Sequence, residues 1–163
     1  MDLNATLNYA QFLSQWEPVT HLRLDLTHIT KVIPGTVCRF PLTEVSFDRD
    51  AKKFSHLPMN LFKNASNLEK LFLFANNITG LTWDEFEGLS SLTELQIGQN
   101  KITLFDADKI AKNMPKLSVF YSEMCSTESE RKKFAFQLES KLNHSVNVSF
   151  EFSPKFYAEL ANP

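Results

Sequence analysis

The stretch that decides the fold is LEKLFLFANNI, residues 68–78, because LTELQIGQNKI follows it 24 residues later, at residues 92–102. Leu or Ile occupies the first, fourth, sixth and eleventh positions of both copies, and Asn occupies the ninth. Both copies also continue with apolar residues, Leu81 and Phe86 after the first, Phe105 and Ile110 after the second. Self-similarity at a fixed period is the signature of a repeat architecture, so two in-register copies predict a repeating fold.

The same frame extends to both sides of these two copies. Apolar residues fit it in five units that begin at residues 19, 42, 68, 92 and 117, which are 23 to 26 residues apart. The ninth position of the successive units is occupied by Thr27, Asp50, Asn76, Asn100 and Cys125. Each of these side chains can hydrogen-bond to the backbone at a turn, Cys only weakly. A sixth, degenerate unit is predicted with Val146 and Val148 as its strand residues.

Each repeat is predicted to contribute a short strand whose leucines point into the core while the intervening residues point outward. A unit of this kind cannot bury its apolar face alone, so successive units must stack. Phe62, Phe86 and Ile110 come six or seven residues before the next unit and are predicted to fill the convex side of the core. The predicted fold class is therefore an α/β solenoid of about five to six repeats, with a curved parallel sheet on its concave face and helical caps at both ends.

Both ends of a solenoid need a cap, because a terminal repeat would otherwise expose its core. Residues 1–18 are predicted to form an N-terminal helical cap, with Tyr9, Phe12 and Trp16 on its apolar face. Residues 126–163 are predicted to form a C-terminal helix–strand cap, and residues 19–125 hold the repeats. The whole chain, residues 1–163, is predicted to be a single domain.

The C-terminal cap has a clear start signal. Thr127 and Glu130 have the spacing of a capping box, and Phe134 begins an apolar series with a period of four residues. The run from residue 146 to residue 152 alternates as a strand does. Another helix is expected over residues 106–113.

Composition and charge exclude several classes of function. The chain has 17 Lys and Arg against 19 Asp and Glu, a net charge of −2. Binding to nucleic acid or to an anionic membrane requires concentrated positive charge, so neither partner is expected. No segment approaches the ~18 consecutive apolar residues of a transmembrane helix. The first residues do not resemble a signal peptide, so we expect an intracellular protein, a chain without its leader, or a fragment of a longer protein.

No combination of residues in the sequence predicts catalysis. The four His residues have no metal-ligand spacing, and the common nucleotide-binding, hydrolase and zinc-protease motifs are absent. Cys38 and Cys125 lie about four repeats apart, roughly 20 Å at the strand spacing of a sheet. This distance is too long for a disulfide. The sequence therefore predicts a non-enzymatic protein without a cofactor or a metal site.

The predicted binding surface is the concave face, where outward residues of successive strands lie side by side. Exposed aromatic residues flanked by charges often anchor protein partners, and Phe72, Phe74 and Tyr121 are predicted at outward positions. Alternatively, Phe72 and Phe74 are tucked under neighbouring side chains. Glu69 is also assigned to this face. The candidate contact residues for a protein ligand are Arg23, Asp25, Asp48, Phe72, Phe74, Gln96, Tyr121 and Glu123.

Acceptor sequences for asparagine-linked glycosylation are more frequent than the composition predicts. Twelve Asn and 25 Ser or Thr among 163 residues give roughly two such sequences by chance, and five are present. The excess favours a protein that passes through the secretory pathway, although a polar turn composition would also explain it. The candidate glycosylation sites are Asn4, Asn64, Asn77, Asn143 and Asn147.

The repeats resemble the leucine-rich-repeat superfamily over residues 19–125. Residues 57–103, LPMNLFKNASNLEKLFLFANNITGLTWDEFEGLSSLTELQIGQNKIT, are similar to the extracellular repeats of Toll-like receptors in the phrases L-P-x-x-L-F-x-N and F-x-G-L-x-x-L. The resemblance implies a horseshoe that binds protein or microbial ligands in innate immunity or adhesion, outside the cell or at its surface. The alternative is an intracellular, cytoplasmic scaffold or adaptor, which the helix in the C-terminal unit favours.

Overall fold

Six short strands form one parallel sheet, in which the spatial order of the strands is their order in the chain. The structure is a computed structural model that describes residues 20–25, 41–48, 56–57, 59–123 and 127–150. The strands are β1 His21–Asp25, β2 Glu44–Asp48, β3 Lys70–Phe72, β4 Glu94–Gln96, β5 Val119–Tyr121 and β6 Asn147–Ser149. A period of about 24 residues therefore corresponds to one step across the sheet.

The strand register confirms the predicted frame of the first five repeats. The middle apolar residues of the six strands form one row across the sheet, namely Leu22, Val45, Leu71, Leu95, Phe120 and Val148. The four side chains from Val45 to Phe120 in this row have no solvent exposure. The frame read from the sequence thus identifies the buried face of β2, β3, β4 and β5.

The sixth strand differs from the prediction at one residue. Val148 pairs with Phe120, as the frame requires, but Val146 lies before the strand. The backbone N–H of Val146 donates to a carboxylate oxygen of Glu139 at 3.1 Å, so Val146 is tied to a helix and is not in the sheet. Phe150 is the next inward residue, and its ring packs edge-to-face on Phe134 with 6.2 Å between centroids.

In the described ranges, three helical segments lie between the strands. They are a 3-10 helix at Asp84–Phe86, α1 at Ala107–Asn113 and α2 at Glu128–Leu142. Asp106 caps α1 by accepting a hydrogen bond from the backbone N–H of Lys109 at 3.0 Å. Helices α1 and α2 pack against each other. No helix in the described part of the chain combines the length and apolarity needed to cross a membrane.

The capping box predicted at the start of α2 is present. The Thr127 hydroxyl accepts from the Glu130 backbone N–H at 3.3 Å, and the Glu130 carboxylate accepts from the Thr127 N–H at 2.9 Å. The Thr127 hydroxyl also donates to the Glu130 carboxylate at 2.9 Å, and the two hydrogen bonds to the carboxylate, first the one from the backbone of Thr127, lower the pKa of the Glu130 carboxyl. Phe134, Leu138 and Leu142 are buried, as their spacing predicts. The predicted N-terminal cap, residues 1–18, lies outside the described residues.

Aromatic side chains fill the space behind the sheet. Phe62, Phe86 and Ile110 are completely buried, as predicted. The rings of Phe62 and Phe86 are stacked at 6.0 Å between centroids, and Trp83 packs on Phe86 at 5.5 Å. Each fully buried side chain of this size contributes about 1.5–3 kcal/mol. This packing from repeat to repeat accounts for part of the unusual number of Phe residues.

Two of the predicted turn residues connect neighbouring repeats. The amide nitrogen of Asn76 donates to the carbonyl oxygen of Phe47 at 2.9 Å, one repeat back. The amide nitrogen of Asn100 donates to the carbonyl oxygen of Leu73 at 2.7 Å, again one repeat back. The turn residues predicted at positions 27, 50 and 125 lie outside the described residues.

Candidate functional site

The register divides the outward residues of the sheet into three columns that run across the strands, and we call this surface the concave face. The first column holds the first residue of each strand, namely His21, Glu44, Lys70, Glu94, Val119 and Asn147. The second column holds the third residue of each strand, namely Arg23, Ser46, Phe72, Gln96, Tyr121 and Ser149. The third column, two positions further along, holds Asp25, Asp48, Phe74, Gly98 and Glu123.

All eight predicted contact residues therefore occupy register positions of one face. The side chains of Arg23, Asp25 and Asp48 lie outside the described part of the chain, and their placement rests on the backbone of β1 and β2. The other five contribute described side chains from the middle and far end of the sheet.

The assignment of Glu69 to this face was off by one position, because Lys70 occupies the corresponding place in β3. Side chains alternate along a strand, so the outward neighbours of the buried Leu71 are Lys70 and Phe72. Glu69 precedes β3, and its carbonyl oxygen accepts the backbone N–H groups of Thr93 and Glu94 at 2.8 and 3.1 Å. The first column thus carries a lysine where a glutamate was expected.

Of the two alternatives for Phe72 and Phe74, the structure has the one in which they are tucked under neighbouring side chains, and Tyr121 is buried as well. Phe72, Phe74 and Tyr121 are only 7–8% exposed, although none of them belongs to the apolar core behind the sheet. The rings of Phe74 and Tyr121 are stacked, with 6.5 Å between centroids and 27° between planes. Gln96 is 7% exposed, and its amide donates to the Glu94 carboxylate. The described residues Phe72, Gln96 and Tyr121 of the second column are therefore packed and do not project as separate anchors.

A glycine explains how the Tyr121 ring lies on the sheet. A Cβ atom at Gly98 would be 2.1 Å from Cε1 of Tyr121, so the ring occupies the space that any other residue would fill. The phenol oxygen donates to the Glu123 carboxylate at 3.2 Å. The ring packs in this way because Gly98 has no side chain. A pattern of leucines does not show this.

Among the described side chains of the concave face, the exposed ones all lie in the first column. Lys70 and Asn147 are exposed, and Glu44, Glu94 and Val119 are half-buried. In register, Lys70 stands between Glu44 and Glu94. Facing side chains on neighbouring strands are within interaction range, so the column alternates negative, positive and negative charge.

A second periodic feature lies just before the strands and was not recognised in the sequence. The hydroxyls of Thr43, Thr93 and Ser118 each donate to the backbone carbonyl at the corresponding position of the preceding repeat, at 3.1–3.3 Å. These hydroxyls bridge successive repeats as the turn asparagines do on the other side of the strands. A Thr or Ser two positions before the middle apolar residue of β2, β4 and β5 was the available signal.

The helical side of the molecule carries paired charges. Lys109 Nζ lies 2.7 Å from the Asp84 carboxylate, and this hydrogen bond raises the pKa of Lys109. Lys141 and Asp108 form a second ion pair beside a groove of about 540 Å³. Within the described ranges, no three His, Cys, Asp or Glu side chains come together as a metal site.

The four described candidate glycosylation sites differ in exposure and backbone conformation. Asn64, Asn77 and Asn143 have φ angles of 65°, 57° and 57°, in the left-handed region. Asn is among the few residues that adopt this region readily. Asn64 and Asn143 are exposed and Asn77 is half-buried, whereas Asn147 is exposed in the first column of the concave face. Asn4 lies outside the described residues.

Comparison with known proteins agrees with this architecture. The family description "Leucine rich repeat" matches residues 50–102. No curated protein matches the sequence at a significant level. Leucine-rich repeats are typically binding modules for other proteins, not enzymes. Residues 50–102 are therefore a leucine-rich repeat segment, and the parallel sheet with its helices is an α/β leucine-rich-repeat solenoid.

Proposed function

We propose that the chain binds another protein through its concave face, without enzymatic activity, and that the first column makes the principal contacts. Stacked repeats create extended concave surfaces that suit protein partners. The observation that carries the proposal is the register, because it places Glu44, Lys70 and Glu94 side by side at accessible positions.

The packed aromatic residues would form a rigid part of the concave face beside the first column. Phe72, Phe74 and Tyr121 are held by their neighbours, so they lose little conformational freedom when a partner binds. Charged side chains at the edge of an interface affect specificity and association rate more than affinity. Glu123 and the register positions of Arg23, Asp25 and Asp48 extend the proposed surface on its other side.

We further propose that the partner is met outside the cell or at its surface, in innate immunity or adhesion. This part of the proposal is supported by the resemblance of residues 57–103 to the extracellular repeats of Toll-like receptors. The number of acceptor sequences for asparagine-linked glycans also supports it.

An intracellular scaffold or adaptor is the second candidate. The 15-residue helix α2 in the last described unit favours it. The two candidates make opposite predictions for the protein isolated from its native source. A mass that decreases after glycosidase treatment supports the extracellular proposal, and an unchanged mass supports the scaffold.

The binding proposal is tested by changing charges on one face at a time. The concave variant is Glu44→Arg with Glu94→Arg, and the matched control is Glu87→Arg with Glu128→Arg, which makes the same charge change at exposed positions elsewhere. Each protein is used to capture partners under identical conditions. We expect the wild type and the control to retain one set of proteins that the concave variant loses.

The fold of each variant is checked by its melting temperature. Because three cationic side chains in a row repel one another, Glu44→Gln with Glu94→Gln serves as a milder variant if the Arg variant unfolds. A folded concave variant that retains the same proteins as the wild type would contradict the proposal.

A further inference from the structure

Two of the candidate glycosylation sequences contain a hydroxyl that makes no hydrogen bond within the described residues. Ser66 and Ser145 stand two residues after Asn64 and Asn143, and both are exposed. Neither hydroxyl has a hydrogen-bond partner in the part of the chain that the structure describes. By contrast, Thr79 and Ser149, which complete the sequences of Asn77 and Asn147, each interact with another part of the chain.

The asparagines themselves have a structural explanation, so the hydroxyls are the informative residues. Asn64 and Asn143 adopt positive φ, and Asn143 ends α2 in the left-handed conformation that is typical of a helix C-terminus. This backbone requirement explains Asn over most other residues. It does not require a Ser two residues later, whereas the enzyme that attaches asparagine-linked glycans does.

We propose that Asn64 and Asn143 are N-glycosylation sites. The ligand class is an oligosaccharide on a lipid-linked pyrophosphate donor. The Asn amide nitrogen forms a bond to the anomeric carbon of the sugar, the bond from that carbon to the pyrophosphate oxygen breaks, and the amide loses one proton to solvent. The inference rests on the extracellular location in the proposed function.

The two sites lie in segments that lead into strands of the sheet. Asn64 comes six residues before β3 and Asn143 four residues before β6. Both therefore precede the strand ends that carry the first column. A glycan on Asn147 would stand in the first column itself, because Asn147 is a residue of that column.

The experiment removes the acceptor sequence without changing the asparagine. Ser66→Ala and Ser145→Ala are expressed as the full chain behind an added leader in a eukaryotic secretory host. Glycosidase treatment converts each glycosylated Asn to Asp, and peptide mapping then locates the sites. We expect the wild type to carry glycans at Asn64 and Asn143, and each variant to lose one glycan.

The melting temperatures of both variants should equal that of the wild type, because the two side chains are exposed and their hydroxyls make no hydrogen bond to the described part of the chain. An unmodified Asn64 or Asn143 in the wild type, whether the chain is secreted or retained in the cell, would overturn the proposal. Partner capture is measured separately with unglycosylated chain made in bacteria. The glycan assignment can therefore fail while the concave face still captures a partner, and partner capture can fail while both sites carry glycans.

Discussion

Substitution of Asn100 by Ala tests the turn residues that join the repeats. The Asn100 side chain makes four close hydrogen bonds to the backbone: its amide nitrogen donates to Leu73 O at 2.7 Å and Ile97 O at 2.9 Å, and its oxygen accepts from Asn76 N at 3.1 Å and Ile78 N at 2.9 Å. At about 1 kcal/mol net for each bond, we expect the free energy of unfolding to fall by about 3–5 kcal/mol. The total free energy of unfolding of a domain is only about 5–15 kcal/mol.

The assay is equilibrium unfolding in urea, followed by circular dichroism. Thr103→Ala is the control, because Thr103 is exposed and close to Asn100 in the chain, and we expect it to change the free energy by less than about 0.5 kcal/mol. A loss below about 1 kcal/mol for Asn100→Ala, with an unchanged denaturant dependence, would refute the idea that these hydrogen bonds hold neighbouring repeats together.

Two further substitutions test the concave face and the C-terminal helix. Gly98→Ala should displace the Tyr121 ring, because the new Cβ would lie 2.1 Å from the ring. We expect the free energy of unfolding, measured by thermal melting, to fall by about 1–3 kcal/mol. If Gly98→Ala costs as much in a Tyr121→Ala background, the clash with the ring is not the cause. Thr127→Ala should cost about 1 kcal/mol and raise the pKa of Glu130 part of the way toward its ordinary 4.5, as measured by NMR titration, because the variant loses the hydroxyl donor and keeps the backbone N–H that is the larger cause. Since the folded pKa is lowered, the stabilisation by ionised Glu130 is present above pH 4.5 and is lost as the pH falls through the folded value; an unchanged Glu130 pKa in the variant would show that the Thr127 hydroxyl does not contribute.

The parts of the fold that repeat were predictable from the sequence. Stacking forces equivalent residues of successive units into one row, so a period of about 24 residues was enough to place Leu71, Leu95 and Phe120 together. The turn residues Asn76 and Asn100 followed for the same reason. The helix α2 was predictable because a capping box and an apolar face mark its start and its orientation independently of the repeats.

The local features of the candidate site were not predictable in the same way. Whether an outward aromatic residue is exposed depends on its neighbours across the strands, and Tyr121 is buried because Gly98 leaves room for its ring. Val146 and Val148 face the same side in an alternating pattern, and the pattern does not show that Val148 pairs in the sheet while the backbone N–H of Val146 donates to Glu139. In both cases the decisive partner is a residue that the pattern of leucines does not specify.

The most direct test of the account is cross-linking of the first column of the concave face. In a background with Cys38 and Cys125 replaced by Ser, Lys70→Cys is combined with Glu94→Cys or with Val119→Cys. Residues 70 and 94 are register partners on adjacent strands, about 4.8 Å apart between Cα atoms, which is within the range of a disulfide. Residue 119 is one strand further away, at about 9.6 Å by the same spacing. We expect mild oxidation to form an intramolecular disulfide in the 70/94 pair and not in the 70/119 pair. A disulfide in the 70/119 pair alone, or no disulfide in the 70/94 pair, would contradict the predicted strand order.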